Sequence, residues 1–389
     1  MARPVQVSLR IPGTSPMPEL IRLIQDVEAA GFDGAGILDS QLLCRDTFVT
    51  LGQAATRTSR LALFPAVTNP FSRHVSVLAG AIQTVAELAP GRTKVVMGTG
   101  YTSASTIGRK PATLAEMRAC ITALRKLLAG EAVDFQGTPG RLAYAAGRPV
   151  SLLMAASGPK AIELAGEIAD GVMLLVGFHR GIVDVVLTHL EKGARRSGRR
   201  LEDLEIVWAV RTGLAATMTE ARRQARPTVV HQGIMRVHSR WLEHTGLSIP
   251  HFDIPASVFK IYPDLSHAQD WEQAIAATSF VPDEIIAELC DALAARGESC
   301  RRRFSTPGPL ENGPIPQGVS TPTDAEDFCH GLLGLVGTPE HCARRIIEMT
   351  AAGVRSLYVM AFQTFVGPEQ EIRTFRDDVF PRLKTAGYR

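Results

Sequence analysis

Short apolar runs alternate with amphipathic segments of helical period along most of the chain, and this alternation limits the possible fold more than any other feature. We predict a strand at each of eight apolar runs, namely residues 5–11, 34–38, 61–67, 93–98, 150–155, 172–176, 204–214 and 357–362. Segments with helical spacing lie between and after them, at residues 18–30, 46–56, 74–88, 113–128, 160–169, 182–196, 339–352 and 370–383. Strands that are apolar throughout are typical of a parallel sheet with helices on its faces. Eight such units in 389 residues predict one α/β domain over residues 1–389, a closed (β/α)8 or TIM barrel.

A doubly wound open sheet is the alternative α/β fold. Such a sheet usually carries a Gly-x-Gly-x-x-Gly turn directly after its first strand. The corresponding turn of this chain reads Pro12-Gly13-Thr14-Ser15, which lacks that pattern. The closed barrel is therefore the favoured prediction.

One long stretch, residues 220–335, interrupts the alternation between the seventh and eighth predicted strands. Within it, residues 220–245 and 270–295 have helical spacing, whereas residues 305–325 are rich in Pro, Gly, Ser and Thr, as loops are. An insertion that follows a barrel strand begins at the barrel mouth, where the carboxyl ends of the strands meet. We therefore expect a helical insertion that forms a lid over the mouth.

Charge and motif content exclude several classes of protein. The formal net charge is +3 and the basic residues are scattered, so we expect no nucleic-acid partner. The six cysteines form no Cys-x-x-Cys pair and the histidines show no His-Glu-x-x-His spacing, so we predict no metal site and no disulfide framework. Neither a Gly-x-Ser-x-Gly elbow nor a P-loop is present, which leaves hydrolase and NTPase functions without motif support.

The chain also lacks membrane and export signals. No apolar run approaches the roughly 20 residues that a membrane-spanning helix needs, and the first 13 residues contain no apolar signal-peptide core. We therefore predict a soluble cytoplasmic protein with no membrane partner.

Candidate functional residues are those at the carboxyl ends of the predicted strands, because barrel enzymes carry their chemistry there. These stretches are 39–40, 66–70, 98–100, 157–158, 176–177, 211–212 and 363. Several of them consist of small or polar residues, which would give flat, backbone-lined walls suited to a planar ring. The same glycines would equally serve tight turns between strands and helices.

Two helix starts in these stretches allow a structural or a functional interpretation. Ser157 and Pro159 are helix-start residues, and free N–H groups at such a start can also bind phosphate. His74 follows the unusual polar stretch Thr68-Asn69-Pro70 and could act as an acid or base, although a capping or surface histidine is the commoner case.

Four stretches in this order carry a family resemblance, at residues 30–39, 58–70, 87–100 and 156–171, with residues 337–340 and 353–354 fitting as well. The chain resembles the bacterial luciferase-like superfamily, and within it the branch of F420-dependent methylenetetrahydromethanopterin reductases. The resemblance spans the chain outside roughly residues 225–330. It implies a (β/α)8 barrel with a flavin or deazaflavin in its mouth.

The resemblance also implies roles for particular residues. A non-prolyl cis peptide between Ala66 and Val67 would back the central ring of the cofactor. Asp39 would lie near the pyrimidine end of that ring, and Ser40 stands where many F420-dependent relatives carry a proton-transferring histidine. The implied cofactor-binding residues are Asp39, Ala66, Val67, Thr68, Asn69, Gly98, Gly100, Ser157, Gly158, Val176 and Gly177, and the catalytic candidates are Ser40 and His74.

Three functions are compatible with these observations. The first is a reductase or dehydrogenase that moves a hydride between F420 or FMN and a small organic substrate. The second is a monooxygenase that receives reduced FMN from a separate reductase. The third is a barrel that binds a cofactor without catalysis. The resemblance further predicts a homodimer.

Overall fold

Eight parallel strands close into a barrel, in the order β11-β1-β2-β3-β4-β7-β8-β9, with β9 pairing back onto β11. The computed structural model describes residues 4–145, 150–177, 180–235, 241, 244, 250–262, 264–291 and 334–389. The strands are β1 (Gln6–Ile11), β2 (Gly34–Ile37), β3 (Ala62–Thr68), β4 (Lys94–Met97), β5 (Val133–Phe135), β6 (Thr138–Gly140), β7 (Ser151–Ala156), β8 (Gly171–Leu174), β9 (Glu205–Leu214), β10 (Leu335–Gly337) and β11 (Ser356–Ala361). The predicted (β/α)8 barrel is confirmed.

Helices surround the barrel and extend over its carboxyl end. They are α1 (Met17–Ala29), α2 (Thr47–Arg57), α3 (Val75–Leu88), α4 (Tyr101–Ser105), α5 (Leu114–Leu128), α6 (Pro159–Ile168), α7 (Arg180–Arg196), α8 (Met218–Val229), α9 (Trp271–Ala277), α10 (Asp283–Asp291), α11 (Pro339–Ala351), α12 (Glu369–Thr374) and α13 (Phe380–Thr385). In the part of the chain that is described, no helix combines the length and apolar character needed to cross a membrane.

The strands separate two apolar cores, because successive side chains of a strand point to opposite faces. On β3, for example, Leu63 packs in the outer core with the helices, whereas Phe64 and Ala66 belong to the inner one. The inner core is Phe64, Ala66, Val96, Leu153, Met173, Val207, Ala209, Tyr358 and Met360. This alternation decides which residue at each strand end faces the mouth.

The amphipathic pattern of α5 illustrates why the helices form where they do. Thr113 and Glu116 make the predicted capping box, in which each side chain bonds the other residue's backbone N–H. Met117, Ile121 and Leu124 are buried at spacings of three and four residues, so one stripe of the helix packs on the outer core.

Three elements of the chain were not predicted. A hairpin, β5–β6, turns through Gln136 and Gly137, both at positive φ (56° and 89°). The three-residue strand β10 pairs with the end of β9, which makes it a ninth member of the barrel sheet. The short helix α4 follows β4. Each element is too short to produce a periodic signal in the sequence.

The insertion between β9 and β11 is helical, as predicted, but its helices are shorter than expected. The segment predicted over residues 270–295 forms two helices, α9 and α10, because the chain turns at Thr278 before Pro282. The first helix, α8, ends at Val229 and continues as a π-helical turn over residues 230–234. The Pro- and Gly-rich part of the prediction, residues 305–325, lies outside the described residues.

Candidate active site

One side of the mouth is a wall of small, uncharged residues at the ends of β3, β4 and β7. The peptide bond between Ala66 and Val67 is cis, as the family resemblance implied, and the register of β3 against β4 shifts at this point. A Cβ on Gly98 would lie 2.8 Å from Cγ2 of Val67, so only glycine allows the two strands to meet this closely. Val67 and Ala155 are only partly buried and pack beside the inner core. The result is a flat apolar surface at the opening.

The polar residues that follow β3 hold this wall in shape. Asn69 is fully buried, and its Oδ1 accepts hydrogen bonds from the backbone N–H groups of Phe71 (3.2 Å) and Ser72 (2.8 Å). Gly100 adopts φ 79°, and a Cβ there would lie 2.7 Å from the ring of Phe71. Thr68 is also fully buried, yet its Oγ1 has no hydrogen-bond partner among the described residues. An unpaired buried hydroxyl is a candidate group for holding a ligand.

Asp39, at the end of β2, is paired with an arginine. Its carboxylate accepts hydrogen bonds from Arg73 Nη1 at 2.7 and 3.0 Å, and its side chain is only 3% exposed. Arg73 also bonds Asp46 (2.7 Å), and Gln41 donates to Asp39 at 3.2 Å. The carboxylate is thus neutralised and held at the edge of the small-residue wall.

The start of α6 differs in detail from the prediction. Ser157 was expected to cap the helix, but Gly158 is the capping residue and no side chain caps it. The Ser157 carbonyl instead accepts a 2.7 Å bond from the indole N–H of Trp241, which belongs to the insertion. No side chain in the described part of the chain accepts from the first-turn N–H groups of α6, which is the arrangement that binds anions. Gly177, after β8, turns through φ 85°.

The two predicted catalytic residues have unfavourable surroundings. His74 is exposed, caps α3 through Nδ1 and packs against Phe135 of the hairpin at 5.3 Å between ring centroids. These contacts place His74 in the helix layer, and its catalytic role stays a prediction. Ser40 is partly buried beside Asp39, but no described histidine or carboxylate bonds its hydroxyl.

Two buried arginines line the opposite side of the mouth. Sequence analysis placed Arg211 in a candidate stretch but gave neither arginine a specific role. Leu9 pairs with Val359 in the sheet, so the following residue, Arg10, lies beside Met360, which in turn pairs with Arg211. Arg10 and Arg211 therefore share one layer of the barrel. They are 4% and 3% exposed, and neither forms a salt bridge with a described carboxylate.

Burial changes the acidity of this charged cluster. It lowers the pKa of Arg10 to about 10 and that of Arg211 to about 9, so both stay charged at neutral pH. It raises the pKa of Tyr358, whose hydroxyl donates to the Gly36 carbonyl at 3.3 Å. It also raises the pKa of Glu371, on α12, to about 7. Each shift has the sign that desolvation of the charged form demands.

The insertion adds a third group of polar residues. Nδ1 of His267 lies 2.9 Å from the Asp264 carboxylate, and Nε2 of His267 lies 3.5 Å from Nη2 of Arg211. The Arg211 guanidinium is also close to the Ser266 carbonyl, at 3.4 Å. His231 Nδ1 contacts the Ser266 hydroxyl at 2.6 Å. The insertion thus contacts Arg211 on the charged side of the mouth.

A model of the family described as luciferase-like monooxygenase matches residues 4–306, which is more than half of the chain. The chain belongs to the luciferase-like monooxygenase family. A 5,10-methylenetetrahydromethanopterin reductase of Methanolobus tindarius is 30% identical to it over 202 residues, which cover 50% of this chain and 60% of the relative. An F420-dependent glucose-6-phosphate dehydrogenase of Beutenbergia cavernae is 34% identical over 203 residues, 46% of this chain and 59% of the relative.

The solved structures extend the likeness to the whole luciferase-like barrel. The coenzyme F420-dependent tetrahydromethanopterin reductase from Methanopyrus kandleri superimposes with a TM-score of 0.70, at 19% identity, over 97% of this chain and 99% of that one. At this identity the match concerns the fold. The sequence matches, by contrast, span only about three fifths of each relative's length.

A sequence signal for the buried arginines did exist. Arg10 and Arg211 each place a charged side chain at an inward-facing position near the carboxyl end of a strand. A charged residue at such a place must be desolvated on folding, which is costly without a functional reason. No comparable signal marked Asp264 or His267, since the insertion has no repeating pattern that assigns its residues to the mouth.

Proposed function

We propose that this luciferase-like protein is an oxidoreductase that binds F420 or FMN in the barrel mouth and moves a hydride between this cofactor and a small organic molecule. The main support for this proposal is the contrast between the two sides of the mouth. One side is a flat apolar wall, and buried arginines face it from the other side. A planar ring can lie on such a wall, and a polar substrate can contact the charged side. The F420-dependent relatives support the choice of cofactor.

The described residues fit the parts of such a cofactor. Ala66, Val67 and Gly98 would support the ring, and the unpaired Thr68 hydroxyl would bond its polar edge. Asn69 and Gly100 would shape that wall. The phosphate of the cofactor would bind at the uncapped start of α6, at Ser157 and Gly158, with Val176 and Gly177 beside it. The cofactor would supply the hydride chemistry when bound.

Asp39 would serve the pyrimidine end of the ring. Arg73 holds its carboxylate in one orientation through two hydrogen bonds, so it can accept a hydrogen bond from a ring N–H without reorganising. Ser40 would contact the ring or substrate as a hydroxyl, because no described base is placed to activate it.

The insertion over residues 220–335 would act as a lid on this single-domain barrel. Two contacts support this proposal, namely Trp241 with the Ser157 carbonyl and His267 with Arg211. Both join the insertion to the ends of barrel strands. A covered mouth would exclude water from the hydride transfer. The homodimer stays a prediction.

A monooxygenase that uses reduced FMN is the second candidate. The description of the matched family favours it, and the same wall and phosphate region would serve FMN. Oxygen uptake with a hydroxylated product, in the presence of FMNH2 from a separate reductase, would identify this activity.

Cofactor titration tests the proposal. Purified full-length protein is titrated with F420 and FMN, oxidised and reduced, while absorbance and fluorescence are followed. Micromolar binding of at least one of them is the expected result. Absence of binding by all four would overturn the proposal, and tight binding without turnover on broad substrate panels would favour a non-catalytic barrel.

A further inference from the structure

The contact between His267 and Asp264 fixes the chemistry of one ring nitrogen. Nδ1 of His267 lies 2.9 Å from both carboxylate oxygens of Asp264, whose Oδ1 also accepts the backbone N–H groups of Ser266 and His267. Burial alone would raise the pKa of Asp264, but these bonds and the nearby histidines outweigh it and lower the pKa to about 2. The carboxylate is therefore ionised at neutral pH and keeps the ring proton on Nδ1.

The second ring nitrogen, Nε2, is then the unprotonated one, and it is directed toward Arg211 on the charged side of the mouth. Burial lowers the pKa of His267, so the ring is neutral at pH 7 and Nε2 carries a lone pair. Arg211 Nη2, 3.5 Å away, is too distant for a strong hydrogen bond. The side chain of His267 is 24% exposed, so part of it is accessible to solvent.

Arg211 completes the arrangement with an unsatisfied donor. Among the described residues, its Nη1 makes only long contacts, 3.3–3.4 Å, to the Thr364 hydroxyl and the Ser266 and Phe362 carbonyls. Its buried Nε has no hydrogen-bond partner among the described residues. A buried cation with spare donors beside a free imidazole nitrogen is suited to an oxygen atom that gains or loses a proton.

We propose that His267, positioned by Asp264, exchanges a proton with a substrate oxygen that Arg211 binds, and that the substrate is accordingly an alcohol or the matching aldehyde or ketone. This inference rests on the proposed function and names its substrate class. Neither of the catalytic residues predicted from sequence could take this role, since His74 lies on the helix layer and Ser40 lacks a base.

The step balances in both directions. In oxidation, the hydride leaves the carbinol carbon with both electrons of its C–H bond and passes to the cofactor. The hydroxyl proton passes to Nε2 of His267, and the C–O bond becomes C=O. The imidazolium that forms keeps its Nδ1–H bond to Asp264, which stabilises the charge. Reduction reverses each transfer.

The surroundings of His267 set the sign of the pH dependence. Asp264 favours the imidazolium, whereas burial and the charges of Arg211 and Arg10 oppose it. His231 is the other titratable group of this cluster, and burial lowers its pKa as well. Oxidation needs the neutral ring, so its rate falls as pH drops through the pKa of His267, which lies below the ordinary 6.5.

The state of the ring can be measured without turnover. Full-length protein labelled with 15N-histidine is examined by NMR at pH 7, and the H267Q variant identifies the signals of His267. A neutral ring with its proton on Nδ1 is the expected result, and D264N should weaken that preference. A ring that is charged, or protonated on Nε2 alone, would overturn the proposal.

Turnover gives the second measurement. Wild type with F420 is assayed on secondary alcohols and on sugars with a free anomeric hydroxyl. H267Q should lower kcat by ~10²-fold or more, as loss of a general base does, with little change in KM or in F420 affinity. D264N should lower kcat and move the inflection of the pH profile to lower pH, because Asp264 raises the pKa of His267. A merely structural role would not move that inflection.

His251 provides the matched control, since it forms an exposed pair with Asp253 at 3.8 Å in the same insertion. H251Q should leave kcat and the His267 signals unchanged, and an equal loss in H251Q and H267Q would refute the inference. A wild type that binds F420 but oxidises no alcohol would overturn the substrate class while the proposed function stands. A wild type that binds neither F420 nor FMN would end both.

Discussion

The two halves of the barrel mouth handle charge in opposite ways. The smooth half, formed by the ends of β2, β3, β4 and β7, carries small residues, and its charged side chain Asp39 is neutralised by Arg73. The charged half, formed by the ends of β1, β9 and β11, buries Arg10 and Arg211 without a described carboxylate partner. The smooth half therefore offers an uncharged surface, and the charged half offers buried guanidinium groups that can still bind an anionic or polar group.

This difference explains why the insertion contacts the mouth unevenly. Asp264, Ser266 and His267 lie against Arg211, where desolvated charge gains from any added polar partner. At the smooth half the described contact is a single hydrogen bond from Trp241 to a carbonyl. A ligand would thus contact a wall of small residues on one side and charged side chains on the other.

Removing Arg73 should produce the largest change in stability, because it leaves the buried carboxylate of Asp39 in the smooth half without its cationic partner. R73L is expected to lower the free energy of unfolding by about 3–5 kcal/mol, the usual cost of breaking a buried pair. Adding D39N should recover part of this loss. Urea denaturation measures both, with R195L as the control, since Arg195 pairs with Glu191 on the exposed face of α7. Equal losses in R73L and R195L would contradict the contrast.

Glu371 tests the charged half through pH. Its pKa is raised to about 7 in the folded protein, so between pH 4.5 and 7 the folded state holds a proton that the unfolded state has lost. Stability should fall as pH rises through this window and level off above it, by up to about 3 kcal/mol for this group. E371Q should remove that part of the fall, as followed by denaturation from pH 4 to 8. Exposed Glu369 supplies the control, E369Q, and identical profiles for both variants would argue against a buried neutral Glu371.

Substituting Gly98 would sharpen the description of the smooth half. G98A places a Cβ 2.8 Å from Val67, which must move toward the opening, so we expect a loss of about 1–3 kcal/mol in stability and weaker cofactor binding. In the control G52A, on α2, the added Cβ would lie 3.8 Å from Cδ1 of Leu88, and stability should rise by about 0.4–1 kcal/mol. Calorimetry and cofactor titration measure the pair. An unchanged affinity in G98A would mean that the wall does not hold the ring.

The smallest effect is expected at His74, which belongs to neither half. H74A removes a weak helix cap and should cost no more than about 1 kcal/mol, with unchanged cofactor affinity and kcat. Thr338, which caps α11, gives the comparison variant T338A. A loss of kcat in H74A but not in T338A would contradict this expectation and support a catalytic role for His74.

Much of the smooth half was accessible from the sequence. The apolar strands located Ala66, Gly98 and Ser157 at the mouth, and the family resemblance implied the cis peptide that the structure contains. The capping role of Ser157 was mistaken, because sequence distinguishes poorly between neighbouring residues at a helix start. The side on which His74 lies was equally hidden from the sequence, since a helix start at a strand end can face either the mouth or the outer layer.

The sequence alone determined the barrel and the edge at which its site lies, because strand and helix periods are local properties that each segment shows by itself. Only the tertiary structure decided that Arg10 and Arg211 share a layer and that His267 meets Arg211 from a segment 56 residues away. Such contacts depend on the register of the sheet and on how an insertion folds back over the barrel. The energy of a buried charge depends on all of its neighbours together. Periodicity carries none of that information.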